Sequence, residues 1–334
     1  MMPRSKQSST CNTAQCVRSK RCWTRCKPMW QPMLPDKTLM AVGLALAASA
    51  VLSFIDNFVA PVSQEAGLWQ FQVFRTLFAV PLLLVAARMS GRVIRPVNLP
   101  RLAGRSLAVS VGLLIYFAAL GTLPVSQAGA GLFSAPLWVV LLSALLFRHR
   151  IGPIGAFAVV IGFAGALMLL QPDFANLTLL SLMPLAAGLF YGLGMMLTRH
   201  WCSDESAIAL AIGIFVTIGA AGLIMLAVVT IWSGDTFITA PWTAPSARFL
   251  WLTLFQAVGA VIAVTLIAQA YRIGNPAVVA VFEYSFLIFA SLWAFLLWGT
   301  ATNPLAWAGI AVILLSGIVM ALSQKEKANA PIAV

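Results

Sequence analysis

Glu283 is the residue whose chemistry most needs an explanation, because it lies within an apolar stretch, 276–299, that is long enough to cross a lipid bilayer. A carboxylate in hydrocarbon costs about 2.5–3.5 kcal/mol on insertion scales, so it usually faces a cavity, a partner or a proton path. Asn275 and Pro276 are typical of the N-cap and first position of a helix. They place Glu283 roughly 12 Å along the helix axis, near mid-membrane. The alternative is a helix that begins two turns later, with Glu283 at the membrane surface.

Asp56 and Arg75 also lie within apolar stretches, in two consecutive segments joined by a short loop. Each would be an isolated charge in hydrocarbon, so we predict that they form an ion pair. Such a pair could serve only to lock two helices together. Alternatively, Arg75 could bind a carboxylate or phosphate of a substrate, because its planar fork suits both groups. The sequence leaves both interpretations open.

A carboxyl group removed from water can exchange protons near neutral pH where water reaches it, so Glu283 is the candidate for energy coupling. Tyr284 and Ser285 continue the polar patch beside it. Further residues that could line a transport path are Gln256, Gln269, Tyr116, Gln127 and Trp69. Each of these also has a plain interpretation, as a helix–helix hydrogen bond or as part of an interfacial aromatic belt.

Composition indicates a polytopic membrane protein. With 61% hydrophobic and 9% charged residues, the chain differs from soluble globular proteins, in which about 25% of residues are charged. Its net charge of +12 comes largely from a basic tail and from loops. Contact with the membrane surface explains this charge, and no nucleic-acid partner is predicted.

Ten apolar segments can each span a bilayer, and they must be helices because lipid offers no partner for open backbone groups. The predicted segments are 39–60, 68–87, 102–121, 125–147, 151–170, 178–198, 206–232, 249–271, 276–299 and 304–323. Nearly all Lys and Arg residues fall in alternate connections, whereas Arg248 lies in a connection on the opposite side. The positive-inside rule therefore predicts that both termini are cytoplasmic.

The N-terminal region, 1–36, is polar and basic, and it contains no apolar run. We expect it to be a disordered cytoplasmic tail, unless translation begins at Met29 or Met33. The spacing of its four cysteines is not that of common zinc sites, so no metal is predicted; these are Cys11, Cys16, Cys22 and Cys26. A second short cytoplasmic tail is predicted at 324–334.

The remaining chain divides into two related halves, 37–172 and 173–323. Superposing 119–147 on 270–298 places Phe133 on Tyr284 and Ser134 on Ser285. Five helices per half make the second copy inverted in the membrane, an arrangement typical of secondary transporters with a central site between the repeats. Glu283 then lies opposite Leu132, so the repeated fold itself does not require a carboxylate there.

From about residue 39 to 323 the sequence resembles the drug/metabolite transporter superfamily, EamA type. The resemblance rests on the ten-helix duplicated layout and on three stretches: FRTLFAVPLLL, ALGTLPVSQAGAGLFSAPLWVVLLSALL and AYRIGNPAVVAVFEYSFLIFASLWAFLLWG. It implies two inverted five-helix repeats, a cavity between them and movement of small metabolites by alternating access without ATP. Many members carry Glu just after helices four and nine, where this chain has FRHRIG and WGTATN. No role is therefore carried over to those positions.

The function predicted is secondary active transport of a small organic metabolite across the inner membrane, with protons as a candidate coupling ion. Export of amino acids or related compounds competes with uptake of a vitamin-like or nucleotide-like compound such as riboflavin. A membrane enzyme or scaffold is the alternative of a different class, but the sequence contains no ATP-binding, catalytic or metal motif. We therefore predict no enzyme activity and no cofactor. The oligomeric state is open, with a homodimer as one alternative.

Overall fold

The computed structural model describes residues 35–89, 96–120, 129, 131–147, 152–171, 182–299 and 303–329, and this part of the chain is helical and contains no strand. Its helices are α1 (Pro35–Asp56), α2 (Val59–Ser63), α3 (Leu68–Met89), α4 (Leu99–Leu120), α5 (Ala135–Phe147), α6 (Pro153–Leu170), α7 (Met183–Trp201), α8 (Ala207–Ile231), α9 (Ala247–Ile273), α10 (Pro276–Glu283), α11 (Ser285–Trp298) and α12 (Pro304–Asn329). Each predicted apolar segment corresponds to one helix or to two consecutive helices. Among the described residues, seven spans are long and apolar enough to cross a membrane, and two shorter helices are also apolar.

Three helices of the second half begin at side chains that cap them. The Oγ of Ser206 accepts a hydrogen bond from Ala209 N, and the Oγ of Ser246 accepts one from Phe249 N. Asn275 caps α10 in the same way. Side chains of this type satisfy backbone N–H groups that have no partner within the helix. The starts of α8, α9 and α10 are therefore fixed by the local sequence.

The helices form two five-helix halves, and the predicted fold class is confirmed. Exchanging the halves pairs α1 with α7, α3 with α8, α4 with α9, α5 with α10–α11, and α6 with α12. The helix contacts are the same after this exchange. Helix α1 contacts α9, and the equivalent helices α7 and α4 are also in contact. Helix α5 contacts α7, and the equivalent helices α11 and α1 are in contact as well. In two further contacts, between α3 and α8 and between α6 and α12, a helix packs against its own counterpart in the other half. Two inverted repeats therefore pack around a pseudo-two-fold axis.

Both halves are interrupted at equivalent places. In the first half a turn at 133–134 precedes α5, and in the second a turn at Tyr284 separates α10 from α11. At each break the backbone hydrogen bonds change from the i→i−4 pattern of an α-helix to i→i−3. Ser134 N donates to Gly131 O, and Tyr284 N donates to Val281 O. The sequence superposition places Phe133 on Tyr284, so the breaks coincide. Broken helices at corresponding positions of two repeats typically mark a transporter's binding region.

The central core joins the two halves. One cluster of buried residues draws on α1, α4, α7, α8 and α10 through Ala45, Val109, Met195, Ile214 and Ala280. This cluster contains residues from both repeats, so it packs the two repeats against each other.

The chain ends differ from the predicted segments. The basic tail lies almost wholly outside the described residues, so the expectation for it stays a prediction. At the other end, α12 continues to Asn329 and so includes part of the tail predicted at 324–334. Gln324, Lys325, Glu326 and Lys327 are all good helix formers, which explains the extension.

Candidate functional site

Glu283 is the last residue of α10, directly before the break at Tyr284. The Asn275 Oδ1 accepts a hydrogen bond from Ala277 N at 3.0 Å, and Pro276 is the first helical residue. The predicted N-cap is therefore confirmed, and the alternative that the helix begins two turns later is wrong. A carboxylate at a helix C-terminus gains nothing from the helix dipole, so helix stability does not explain why Glu283 is there.

Two tyrosines from other helices hold the Glu283 carboxylate. The hydroxyl of Tyr191, in α7, donates to Glu283 Oε1 at 2.8 Å. The hydroxyl of Tyr271, in α9, donates to Glu283 Oε2. Tyr271 is almost fully buried, while Glu283 keeps part of its surface accessible. The carboxylate is therefore directed into the helix bundle and faces interior space rather than lipid.

The sequence analysis missed both tyrosine partners. Tyr271 is 12 residues before Glu283 and Tyr191 is 92 residues before it. A signal was present, because the chain contains only 4 tyrosines and all of them lie in apolar segments. A buried phenol usually needs a hydrogen-bond partner, and a membrane carboxylate is an obvious acceptor.

Tyr284 and Ser285 form no hydrogen bond with this cluster. A Cβ added at Gly162 would lie 2.6 Å from the Tyr284 ring and 2.6 Å from Ser316 Oγ, so the ring packs closely between α6 and α12. Among the described residues, neither the Tyr284 hydroxyl nor the Ser285 Oγ has a hydrogen-bond partner. Both side chains are buried, and neither of them bonds Glu283.

Arg75 lies in the middle of α3 and is surrounded by aromatic rings. Its guanidinium carbon is 5.8 Å from the Phe71 ring centroid, 6.0 Å from that of Phe117 and 5.7 Å from that of Phe215. These rings belong to α3, α4 and α8, so both halves contribute. The side chain is only 7% exposed, and its Nε has no hydrogen-bond partner among the described residues.

The predicted Asp56–Arg75 ion pair is wrong as a direct contact. The two groups interact electrostatically, but no salt bridge joins them, and the salt bridge seen among the described residues is Arg248–Glu65 at 3.3 Å. The reason is local: α1 ends at Asp56, and the guanidinium of Arg75 lies among aromatic rings. Asp56 also interacts electrostatically with Tyr116 of α4. The interior therefore contains an aspartate and an arginine that are not joined by a salt bridge.

The predicted glutamines have different positions. Gln256 in α9 is fully buried, and both atoms of its side-chain amide lack a partner in the part of the chain that the structure describes. Gln269, nearer the end of α9, is partly accessible, and its Oε1 likewise has no partner there. Gln127 lies outside the described residues. Sequence reasoning missed Gln72 in α3, which is also fully buried without partners for its amide.

Arg105 is a buried arginine whose hydrogen bonds join helices, so it has a structural role. Its Nε donates to Thr198 Oγ1 at 2.7 Å, and its Nη1 donates to Leu210 O at 3.1 Å. These bonds tie α4 to α7 and α8 near the predicted cytoplasmic end. Arg105 is fully buried, although the sequence analysis grouped it with the loop arginines.

Hydrogen bonds between segments close the predicted cytoplasmic end. The Nη1 of Arg199 donates to Arg272 O at 2.7 Å, and the Nη1 of Arg272 donates to Glu205 O at 2.8 Å. Asn98 N donates to Glu205 Oε1 at 2.8 Å. Partial burial lowers the pKa of the Arg199 guanidinium from its ordinary value. Opening this end would therefore require several bonds to break together.

At the opposite end, Trp69 fastens the loop between α8 and α9. Its Nε1 donates to Ile238 O at 2.7 Å. Next to it, Gln70 donates from Nε2 to Thr243 O at 2.8 Å and accepts from Thr243 N at 2.9 Å. The loop therefore covers the start of α3. These bonds place Trp69, which is buried, in a contact between the start of α3 and the loop.

Replacing Trp69 with Phe is expected to loosen this loop without unfolding the protein. The change removes the bond to Ile238 O and keeps most of the aromatic contact, a loss of about 1 kcal/mol. Hydrogen exchange of the amides in 232–246 should become several-fold faster, while exchange in α6 stays unchanged. Equal exchange rates in the loop of both proteins would show that Trp69 does not hold it.

The described residues contain no group of three His, Cys, Asp or Glu side chains that could hold a metal ion. They do contain a carboxylate bonded by two phenols and, elsewhere in the bundle, an arginine and an aspartate that interact electrostatically. Chemically, such a set can hold and release a proton and can bind a polar solute. It lacks an activated nucleophile.

Comparisons with known proteins agree with this geometry. Residues 39–171 match the model of the EamA-like transporter family. The chain is 24% identical to a riboflavin transporter of Rhizobium johnstonii, over 88% of this chain and 92% of that protein. It is 22% identical to the pseudopaline exporter of Pseudomonas aeruginosa, over 88% of this chain and 100% of that protein. A protein crystal structure aligns with a TM-score of 0.74 at 16% identity, covering 86% of this chain and 99% of that one, which shows a shared fold.

Proposed function

We propose that the chain is a multi-pass membrane transporter of the EamA-like family, whose model matches residues 39–171, and that it is a secondary active carrier of a small organic metabolite. Alternating access between the two repeats moves the cargo, and proton exchange at Glu283 couples this movement to a pH gradient. Both termini face the cytoplasm in this proposal, and the membrane is the inner membrane.

The observation that carries the proposal is the Glu283 carboxylate held by Tyr191 and Tyr271 beside a broken helix. An ionisable residue in a membrane segment is costly unless it serves a function. The groups that surround it are phenols, with Tyr284 within electrostatic range. Phenols donate hydrogen bonds without carrying a positive charge, so they oppose protonation of the carboxylate less than a cationic partner would. A salt bridge to Lys or Arg would oppose that step.

Alternating access requires that the two ends open at different times. The bonds at Glu205, Arg199 and Arg272 close one end, and the loop held by Trp69 and Gln70 covers part of the other. All of these are hydrogen bonds between segments, each with a small net free energy of about 0.5–1.5 kcal/mol, or more where a charge takes part. Binding of a cargo or a proton is therefore sufficient to shift the balance between the two closures.

Uptake of riboflavin or a related compound is the second candidate function. The relatives that favour it are the riboflavin transporters of Rhizobium johnstonii and Vibrio cholerae. The buried amides of Gln72 and Gln256, which lack partners, would suit a neutral cargo with carbonyl and N–H groups. The pseudopaline exporter of Pseudomonas aeruginosa favours movement in the opposite direction.

The deciding experiment compares metabolites in cells and in the medium for a strain lacking the chain and a strain overproducing it. We expect one class of compound to shift between the two compartments in opposite senses in the two strains, and the sense gives the direction of transport. Addition of riboflavin to the medium tests the second candidate in the same cultures. If no compound shifts while the protein is inserted and folded, the transport proposal is wrong.

A further inference from the structure

We propose that Arg75 is the group that binds the cargo, and that the cargo carries a carboxylate. This inference rests on the proposed transport function and extends it to the chemistry of the substrate. The geometry on which it depends is the position of Arg75 inside the bundle, with its guanidinium between three aromatic rings and without a bonded acceptor among the described residues.

The hydrogen-bonding capacity of Arg75 is unused. A guanidinium has five N–H donors in a fixed fork, and a buried polar group without a partner is costly. Nε of Arg75 is buried and has no partner, and no hydrogen bond or salt bridge joins the rest of the group to any described residue. Arg105 provides the contrast within the same protein, because its guanidinium donates to Thr198 and Leu210. An arginine that served only to join helices would be bonded in that way.

The aromatic rings explain how the cation is tolerated and why it stays available. The three centroid distances, 5.7 to 6.0 Å, lie at the outer limit of cation–π contact, about 6 Å. At this range the rings stabilise the charge without forming hydrogen bonds. The three rings therefore hold the guanidinium without using its N–H donors, which remain available to a ligand.

Asp56 does not occupy the fork. It interacts electrostatically with Arg75 but forms no salt bridge with it. Its side chain is partly accessible. A planar oxyanion of the cargo matches the fork of Arg75 in a bidentate arrangement, which a hydroxyl or an amide cannot reproduce. The ligand class that completes this site is a carboxylate.

The location suits a transport site. The rings around Arg75 come from α3, α4 and α8, and α3 and α8 are counterparts that pack together across the pseudo-two-fold axis. A cargo bound to Arg75 would therefore contact both repeats. Movement of one repeat against the other would change its surroundings, which is what a carrier requires.

The test uses the purified full-length protein in detergent and pairs of compounds in which amides replace every carboxylate. The probes are succinate with succinamide, glutarate with glutaramide, and nicotinate with nicotinamide. A ligand that binds the folded state raises the midpoint of thermal unfolding. We expect at least one carboxylate to raise the midpoint where its amide does not.

Variants assign the effect to Arg75. In Arg75→Gln the apparent affinity for that carboxylate should fall about tenfold or more. Arg75→Lys keeps the charge and supplies a second folded variant, with an intermediate loss expected. Arg248→Gln is the control, because it removes an arginine that is 64% exposed and paired with Glu65. The inference is overturned if no carboxylate exceeds its amide, or if a folded Arg75 variant keeps the full shift.

The two proposals fail separately. If the metabolite comparison identifies a cargo without a carboxylate, such as riboflavin, the transport function stands and the role of Arg75 is wrong. If carboxylates bind through Arg75 but no compound moves in cells, the binding site stands and the transport function is wrong.

Discussion

Replacing Glu283 with Gln is expected to give a folded protein whose transport no longer responds to a pH gradient. Gln has nearly the same shape, and its amide can still form hydrogen bonds with the hydroxyls of Tyr191 and Tyr271. It cannot bind or release a proton in the physiological range. The change therefore removes the coupling step and preserves the packing of α7, α9 and α10 around it.

The measurement is flux of the identified cargo into liposomes that contain the purified protein, with and without a pH difference of one unit. One proton moved down such a gradient supplies about 1.4 kcal/mol, which supports about tenfold accumulation of the cargo. The wild-type protein should approach that ratio, and Glu283→Gln should give a ratio near one. Equilibrium exchange of cargo across the membrane should continue in the variant, because binding and movement remain possible.

Asp235→Asn supplies the matched control, since this exposed carboxylate lies in the loop between α8 and α9, away from the bundle interior. It should keep the full response to the pH gradient. An unchanged response in a folded Glu283→Gln protein would show that another group carries the proton. A loss of folding in both variants would indicate general sensitivity to removal of a charge.

The sequence predicts the fold more completely than the site. Residue types with local consequences, such as Asn275 and Pro276, fix where a helix begins. The weak sequence similarity between the two halves, which aligns Phe133 with Tyr284, also locates both helix breaks. Each of these signals lies within a short stretch of chain, so no knowledge of packing is needed to interpret it.

The site depends on packing, which short-range patterns do not report. Tyr191 reaches Glu283 only because α7 packs with its phenol beside the end of α10. The wrong prediction of an Asp56–Arg75 ion pair has the same origin. It assumed two continuous neighbouring helices, whereas α1 ends at Asp56 and Arg75 is surrounded by rings from α3, α4 and α8.

Gly112 is a position where a small change should affect both the fold and the site. A Cβ added there would lie 2.6 Å from Tyr191 N and 2.8 Å from Ala187 O. Both atoms belong to the backbone of α7, so no flexible side chain can move aside. Substitution must therefore push α4 away from α7, and this movement displaces the helix that carries the Tyr191 hydroxyl to Glu283.

Gly112→Val is accordingly expected to destabilise the protein by about 3 kcal/mol or more, because overpacking against rigid backbone is added to the loss of neighbouring contacts. Gly43→Val is the matched control: this residue also lies in a long helix, and a Cβ added there meets nothing within 4 Å. Thermal unfolding of the purified proteins should show a much lower midpoint for Gly112→Val and a nearly unchanged one for Gly43→Val. Equal midpoints would mean that α4 and α7 can separate at little cost. In that case the position of Tyr191, and with it the cluster around Glu283, would not depend on this helix contact.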